Sequence, residues 1–139
     1  MPDTAVTMAE ILDKYRTVAV VGLSPKPHRD SYEVSRYMQA HGWRIIPINP
    51  NASEILGEAA YPSLTEAARH HTIELVNVFR NSADVPPVAT EAIAIGAKAL
   101  WLQLGISNEE AAQQARTAGL QIVQNRCLLV EHRNHHRGA

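Results

Sequence analysis

The chain has 139 residues, a formal net charge of −1 and one cysteine, which suits a single domain with one core and excludes an internal disulfide framework. The near-neutral charge, without aromatic residues interleaved with Lys and Arg, argues against a nucleic-acid partner. Because Glu91, Gly96 and Lys98 interrupt the most apolar stretch and no leader-like segment begins the chain, we expect a cytoplasmic protein without a membrane partner.

Short apolar runs alternate with helical periods along the chain. A helical pattern at residues 7–15 predicts an N-terminal helix, which we assign to residues 1–14. Five strands are predicted at 17–22, 44–49, 74–79, 98–104 and 121–124. Helices are predicted between them at 31–41, 63–70, 85–95 and 107–118. The polar C-terminus resembles a fraying tail, so residues 134–139 are expected to be flexible.

Several predicted helices carry a start or stop signal. Ser63 and Ser107 are each followed three residues later by Glu, which is the capping-box pattern. The proline pair 86–87 is tolerated only in the first turn of a helix, so that helix is expected to begin between 82 and 85. Glycines stand where C-terminal caps belong, at Gly42, Gly96 and Gly119.

Strands that alternate with helices are typical of right-handed βαβ crossovers. The sequence therefore predicts an α/β, Rossmann-like three-layer domain with a mostly parallel five-stranded sheet and helices on both faces. Pro47 cannot donate to a strand ladder, so we expect a local irregularity in the second strand. In such sheets ligands lie beyond the carboxyl ends of the strands, so the residues after each strand are the candidate site.

The loop after the first strand has the character of a phosphate-binding strand-loop-helix. Gly22 permits a tight turn, Lys26 and Arg29 supply cations, and the following helix supplies unpaired N–H groups. The candidate residues are Gly22, Leu23, Ser24, Lys26, Arg29 and Ser31. The alternative is a polar loop in which Asp30 caps the helix together with Glu33.

The residues that follow the other strands bear on which nucleotide the chain binds. The first loop holds one glycine where a dinucleotide fingerprint holds three, and Asn49 stands where an acid would hold the ribose of NAD. Asn49 can bond an adenine edge or a ribose, or serve as a turn residue before Pro50. At the third strand end, Arg80 is either a solvated charge or a site cation. Gly105 allows a close backbone approach after the fourth strand.

Cys127 and the histidines are interpreted as structural or surface residues. Cys127 and His132 are five residues apart, which on a helix separates them by about 140°. Free cysteine is most often a small buried hydrophobe. The tail histidines and the pair 70–71 match no metal-ligand spacing and are expected at the surface. We predict no catalytic residue and no metal ligand.

Five blocks in chain order resemble the small stand-alone CoA-binding proteins, relatives of the CoA-binding domain in the succinyl-CoA synthetase alpha subunit. The resemblance spans about residues 15–133. The blocks are 20–24 with Arg29 and Ser31, 48–50, 78–80, 101–106, and 125–128 with Glu131 and His132.

This resemblance implies that coenzyme A or an acyl-CoA lies across the strand ends. Residues 22–31 and the Asn49–Pro50 turn would hold the adenosine and phosphates. The pantetheine arm would be bordered by Phe79, Arg80, Leu104, Gly105 and Ile106. The first loop has Pro-Lys-Pro where the synthetase has further glycines, which is a departure from its pattern. The domains that complete that ligase have no counterpart in this sequence.

The leading hypothesis is a non-catalytic CoA-binding protein with a carrier, sensor or regulatory role. One alternative is an acyl-CoA-dependent enzyme that uses Cys127, and the other is a regulatory domain that binds NAD or an adenine nucleotide. A homodimer or an unknown protein partner remains open.

Overall fold

A computed structural model describes residues 3–137. Its strands are β1 (Thr17–Val21), β2 (Arg44–Ile48), β3 (Glu54–Ile55), β4 (Glu58–Ala59), β5 (Leu75–Val78), β6 (Ala99–Leu102) and β7 (Gln121–Val123). Five of them form one parallel sheet in the order β2-β1-β5-β6-β7, while β3 and β4 form a small antiparallel pair. The five predicted strands are confirmed, and the short pair was not predicted.

The helices are α1 (Thr4–Lys14), α2 (Asp30–Ala40), α3 (Leu64–Ala68), α4 (Val85–Ala94), α5 (Glu109–Thr117) and α6 (Leu128–Arg137), with a 3-10 turn at Ser82–Asp84. One face of the sheet packs against α3, α4 and α5, and the other packs against α1, α2 and α6. Burial on both faces explains why the strands are almost continuously apolar. The Rossmann-like three-layer architecture is therefore confirmed. None of the described helices is long and apolar enough to cross a membrane.

Pro47 lies in the edge strand β2, and the strand runs through it without a break in register. Its carbonyl accepts a hydrogen bond from the Tyr61 N–H at 3.0 Å, on the side away from β1. Because the nitrogen of a strand residue points to the same side as its oxygen, the missing N–H removes no bond to β1. The irregularity expected at Pro47 is not present.

The helix boundaries follow most of the sequence signals. The Ser63 hydroxyl accepts from the Glu66 N–H at 3.1 Å, which confirms Ser63 as the cap of α3. The Glu66 carboxylate contacts Arg69 and does not return a bond to the Ser63 N–H, so only half of the predicted capping box forms. The cap predicted at Ser107 is wrong by one residue, because Asn108 caps α5 by accepting from the Ala111 N–H at 2.9 Å. Asn and Ser are nearly equal as caps, so sequence alone does not separate them. The three predicted cap glycines have positive φ, and the proline pair lies in the first turn of α4.

The C-terminal segment differs most from the sequence prediction. Helix α6 includes residues 134–137, which were assigned to a flexible tail; residues 138 and 139 lie outside the described part of the chain. The surface position expected for His132 is wrong, since the residue is buried and its Nδ1 lies 3.0 Å from the Tyr37 hydroxyl. The cause is tertiary: α6 packs against α1 and α2, and Leu128 is fully buried at its start.

Asn77 is a polar residue in the centre of the sheet. It is 1% exposed, and no described group bonds either atom of its side-chain amide. A buried polar group without a partner costs about 1–3 kcal/mol. We therefore expect Asn77→Leu, which keeps the side-chain size, to raise the free energy of unfolding by about 1 kcal/mol. Urea unfolding measures this, with the exposed Asn51→Leu as control. A loss of stability in Asn77→Leu would contradict the conclusion that the buried Asn77 amide is unfavourable.

Candidate ligand-binding site

The strand order reverses between β1 and β5, since the chain passes from β1 outward to β2 and then returns to β5 on the other side. At such a switch point the loops after the two strands diverge and leave a crevice beyond their carboxyl ends. The loop at residues 22–29 follows β1, and the 3-10 turn Ser82–Asp84 follows β5. The first-loop and Phe79–Arg80 candidates therefore lie where this fold places ligands.

Gly22 is required by the packing of the strands at this crevice. Its φ is +85°, and a Cβ on it would overlap the carbonyl oxygen of Phe79. The Gly22 N–H donates to the Ile48 carbonyl at 3.1 Å, and the Phe79 N–H donates to the Val21 carbonyl at 2.9 Å. The space that a side chain would need at this position is thus taken by the chain's own backbone.

Two serines shape the loop that follows. The Ser31 hydroxyl accepts from the Ser24 N–H at 3.0 Å, and the Ser24 hydroxyl accepts from the Lys26 N–H at 3.1 Å. Leu23 is fully buried, so its side chain is a core anchor and leaves only its backbone for any other contact. The loop is therefore fixed against α2 before a ligand arrives.

Asn49 joins this loop to the end of β2. Its Nδ2 donates to the Leu23 carbonyl at 3.0 Å, while its Oδ1 accepts from the Asn51 N–H at 2.7 Å. An ionised Asp could accept the second bond but could not donate the first. This double contact is a structural reason for an amide where NAD-binding relatives of the fold have an acid. Pro50 follows it and is exposed.

The N-terminus of α2 faces the loop without a side-chain cap. Arg29 occupies the cap position with no side-chain bond, whereas α1, α3 and α5 are each capped by a side chain. Asp30 is the first helical residue, so its predicted alternative role as the cap is wrong. No described group accepts from the backbone N–H of Asp30 or Ser31. These donors and the helix dipole are available to an anion.

Three cations surround the crevice. Lys26 and Arg29 lie in the first loop and Arg80 follows β5, and all three are exposed. Within residues 3–137, none of them forms an ion pair or a side-chain hydrogen bond. Their charge is therefore available to a phosphorylated ligand.

A cleft of about 330 Å³ lies beside the crevice, between the first turns of α2 and α6. It is lined by Asp30, Glu33, Val34, Phe79, Gln103, Leu104, Ile106, Cys127, Leu129 and Val130. Gln103 is 6% exposed; its Oε1 accepts from the Leu128 N–H at 3.3 Å, and no described group accepts from its Nε2. Leu104 at the cleft is 65% exposed, which is unusual for a large apolar side chain. Phe79 and Ile106 continue into a shallower depression that also contains Arg80 and Gly105.

Asn125 fixes the far side of the cleft. Its Oδ1 accepts from the Gly105 N–H at 2.7 Å, and its own N–H donates to the Ile106 carbonyl at 3.0 Å. The φ of Asn125 is +57°, a conformation that Asn adopts more readily than most residues. The indole N–H of Trp101 donates to the next carbonyl, that of Arg126, at 2.9 Å. These bonds place the start of α6 against β6.

Cys127 and His132 do not form a catalytic pair. Cys127 is half-buried and lines the cleft, while His132 lies on the buried face of α6 and contacts Tyr37. Burial lowers the pKa of His132 to about 4. Smaller contributions in the same direction come, in decreasing order, from His136, His41, Arg16 and His135. Cys127 is thus separated from the histidine that would activate it.

The structure brings most of the predicted site residues to one edge of the sheet but divides their roles. Those with exposed side chains at the crevice or cleft are Lys26, Arg29, Arg80 and Leu104. Those that hold the loops in place are Gly22, Leu23, Ser24, Ser31 and Asn49. Sequence reasoning missed Gln103 and the α6 wall of the cleft. The signal that was available for α6 was the segment Leu128–Glu131, which follows Asn125 and is compatible with a helix.

The fold and the crevice define a Rossmann-like α/β domain. Residues 16–133 match the family described as CoA binding domain, and the chain belongs to that family. The uncharacterized protein YneT of Bacillus subtilis (strain 168) is 43% identical over 123 residues, covering 88% of this chain and 90% of that protein.

Solved structures agree with this assignment. A hypothetical protein from Pyrococcus horikoshii OT3 is 39% identical, with a TM-score of 0.89 over 95% of this chain and 92% of that one. A dinucleotide-forming acetyl-coenzyme A synthetase 1 of Ca. Korarchaeum cryptofilum has a TM-score of 0.69 at 23% identity. That match covers 81% of this chain but 26% of the synthetase, and it is a likeness of fold alone. The family match confirms the predicted membership of the CoA-binding proteins.

Proposed function

We propose that this protein binds coenzyme A or an acyl-CoA across the carboxyl ends of β1, β5 and β6, as a non-catalytic carrier, sensor or regulatory protein. The observation that carries the proposal is the group of three unpaired cations beside an uncapped helix, in a chain that belongs to the CoA-binding family. A half-buried single cysteine suits the reducing cytoplasm in which we place it.

The charge distribution suits the ligand. CoA carries a diphosphate and a separate 3′-phosphate, so it needs several anion-binding groups at more than one position. The N–H groups of α2 with Lys26 and Arg29 provide one such region, and Arg80 provides another across the switch point. The proposed contacts, direct or through the loops, are those predicted: Gly22, Leu23, Ser24, Lys26, Arg29, Ser31, Asn49, Pro50, Phe79, Arg80, Leu104, Gly105 and Ile106.

NAD is the weaker candidate because of the residues that its fingerprint would require. Only Gly22 stands in the first loop, and Asn49 uses its amide to hold that loop. Chemistry at the cleft is also disfavoured, because none of the residues lining it is a histidine and the two titratable neighbours of Cys127 there are acids. We therefore favour binding without turnover. If an acyl-CoA is turned over at all, unchanged turnover in Cys127→Ser would remove the hypothesis of an enzyme that uses Cys127.

A thermal-shift panel with CoA, dephospho-CoA, NAD, NADP and ATP tests the proposal. CoA at a hundredfold its dissociation constant is expected to stabilise the protein by about 2.7 kcal/mol, and the other ligands by less. Each of Lys26→Ala, Arg29→Ala and Arg80→Ala is expected to weaken CoA binding roughly tenfold or more by loss of a charge-assisted bond. Titration calorimetry measures the constants.

The matched control is Lys98→Ala. Lys98 is an exposed cation just before β6, at the amino ends of the strands and away from the crevice. Its replacement by Ala changes the net charge by the same amount as each of the three site variants. It is expected to leave CoA affinity unchanged. Absence of any shift with saturating CoA would overturn the proposed function, and a preference for NAD or ATP would favour the nucleotide alternative instead.

A further inference from the structure

We infer that the cleft between α2 and α6 receives the acyl end of an acyl-CoA and selects uncharged acyl groups over acyl groups that carry a carboxylate. This inference rests on the proposed function and gives its ligand a chemical class. Three properties of the cleft support it: the sign of the charges that line it, a side-chain amide N–H without a described acceptor, and its apolar walls.

The charged side chains that line the cleft are all acids. The three cations lie on the first loop and after β5, whereas the ionisable acids of the cleft are Asp30 and Glu33 on the first turn of α2. Both acids are exposed, and neither forms an ion pair with a described residue. A ligand with phosphates at one end and an uncharged group at the other matches this arrangement. A terminal carboxylate in the cleft would be repelled by both acids.

Gln103 supplies a polar group that a thioester can use. Its side chain is buried at the end of β6, and its Oε1 is occupied by the Leu128 N–H. Gln103 lines the cleft, and no described residue accepts from its Nε2. An acceptor that enters the cleft within reach of this N–H takes its hydrogen bond in place of water. The carbonyl oxygen of a thioester is such an acceptor, and free CoA lacks it.

The walls of the cleft are largely apolar. Its volume is about 330 Å³, and Phe79, Ile106, Leu129 and Val130 give it an apolar lining. Leu104, at 65% exposure, would lose water contact when an acyl group lies against it. These features suit an apolar, uncharged acyl group.

Titration calorimetry of the full chain with butyryl-CoA and succinyl-CoA is the test, because the two acyl groups have the same number of carbons and differ in the terminal carboxylate. Butyryl-CoA is expected to bind at least about fivefold more tightly than succinyl-CoA. The double variant Asp30→Asn, Glu33→Gln is expected to reduce that ratio to near one. The control is Glu110→Gln, which removes an exposed acid on α5 and is expected to leave the ratio unchanged.

A second variant tests the amide. Gln103→Met keeps the side-chain length but removes the donor, and it is expected to reduce the preference of the wild type for butyryl-CoA over free CoA, while the apolar contacts keep the rest. Equal affinity for butyryl-CoA and succinyl-CoA in the wild type would overturn the inference, as would a ratio that the double variant does not change. If all CoA compounds bind equally, the proposed function stands and this inference falls. If none binds, the proposed function itself fails.

Discussion

Gly22→Ala is expected to lower the free energy of unfolding by at least about 3 kcal/mol, which places it among the most damaging single substitutions in the chain. Two costs add. The backbone at Gly22 has φ +85°, which an L residue with a side chain adopts only with strain. The new methyl group would also overlap the Phe79 carbonyl, which follows β5 at the switch point. Urea unfolding followed by circular dichroism measures the loss.

Gly42→Ala separates these two costs. Gly42 has a similar φ of +90°, but a Cβ built there has no other atom within 4 Å. It is therefore expected to cost only about 1 kcal/mol, from backbone strain alone. Equal losses in the two variants would show that the Phe79 carbonyl moves aside and that Gly22 is needed only for its φ.

The same substitution should affect the ligand site beyond its effect on stability. Gly22 starts the first loop, and its neighbour Leu23 is held by Asn49. If the strands separate at Gly22, Lys26 and Arg29 lose their fixed position relative to Arg80. We therefore expect any folded fraction of Gly22→Ala to bind CoA more weakly, whereas Gly42→Ala, at the end of α2 away from the crevice, should bind normally.

The stability of the protein is expected to fall as the pH is lowered from about 6.5 to 4, and His132 is a principal cause. Its pKa is lowered from 6.5 to about 4, with burial as the largest cause. In that interval the unfolded chain binds a proton that the folded chain does not, so the free energy of unfolding rises with pH. The stabilisation is complete above pH 6.5 and is lost by about pH 4. The full effect corresponds to up to about 3 kcal/mol.

His132→Gln tests this assignment, because its amide oxygen can still accept from the Tyr37 hydroxyl but the side chain does not titrate. Urea unfolding at pH 7 and at pH 4.5 should show a smaller difference in the variant than in the wild type. Part of the difference in stability between the two pH values is expected to remain in the variant. The reason is that burial, followed by the charges of Arg44 and His70, also lowers the pKa of His71. The exposed His28→Gln is the control. An unchanged pH difference in His132→Gln would exclude His132 as the cause.

The order of strands and helices was predictable from local pattern. Each of the five main strands is a short apolar run between helical periods, and signals such as Ser63 and Gly42 placed several boundaries within one or two residues. The cap of α5 shows the limit of such signals. Ser107 and Asn108 are adjacent and nearly equivalent, so the choice depended on contacts of Asn108 with Ser82 and Gln124 across the fold.

The position of the crevice was also predictable, because the carboxyl ends of parallel strands are known once the strands are assigned. The roles of its residues were less predictable from the sequence. Asn49 looked like a ligand contact or a turn residue, and only the tertiary structure shows its amide bridging two loops. The cleft was not predictable, since one wall belongs to α6, whose polar sequence resembled a tail. Its helix is stabilised by packing against α1 and α2, which no local pattern encodes.

The sequence by itself determined the α/β alternation, the parallel sheet and the loop between β1 and α2, because periodicity, turn residues and cap residues are local properties of the chain. Only the tertiary structure decided that Gly22 packs against Phe79, that His132 is buried and that Gln103 lines a cleft. Each of these depends on residues far apart in sequence that contact one another after the sheet has formed. Burial and hydrogen bonding across the fold then set which side chains support the site and which remain available to a ligand.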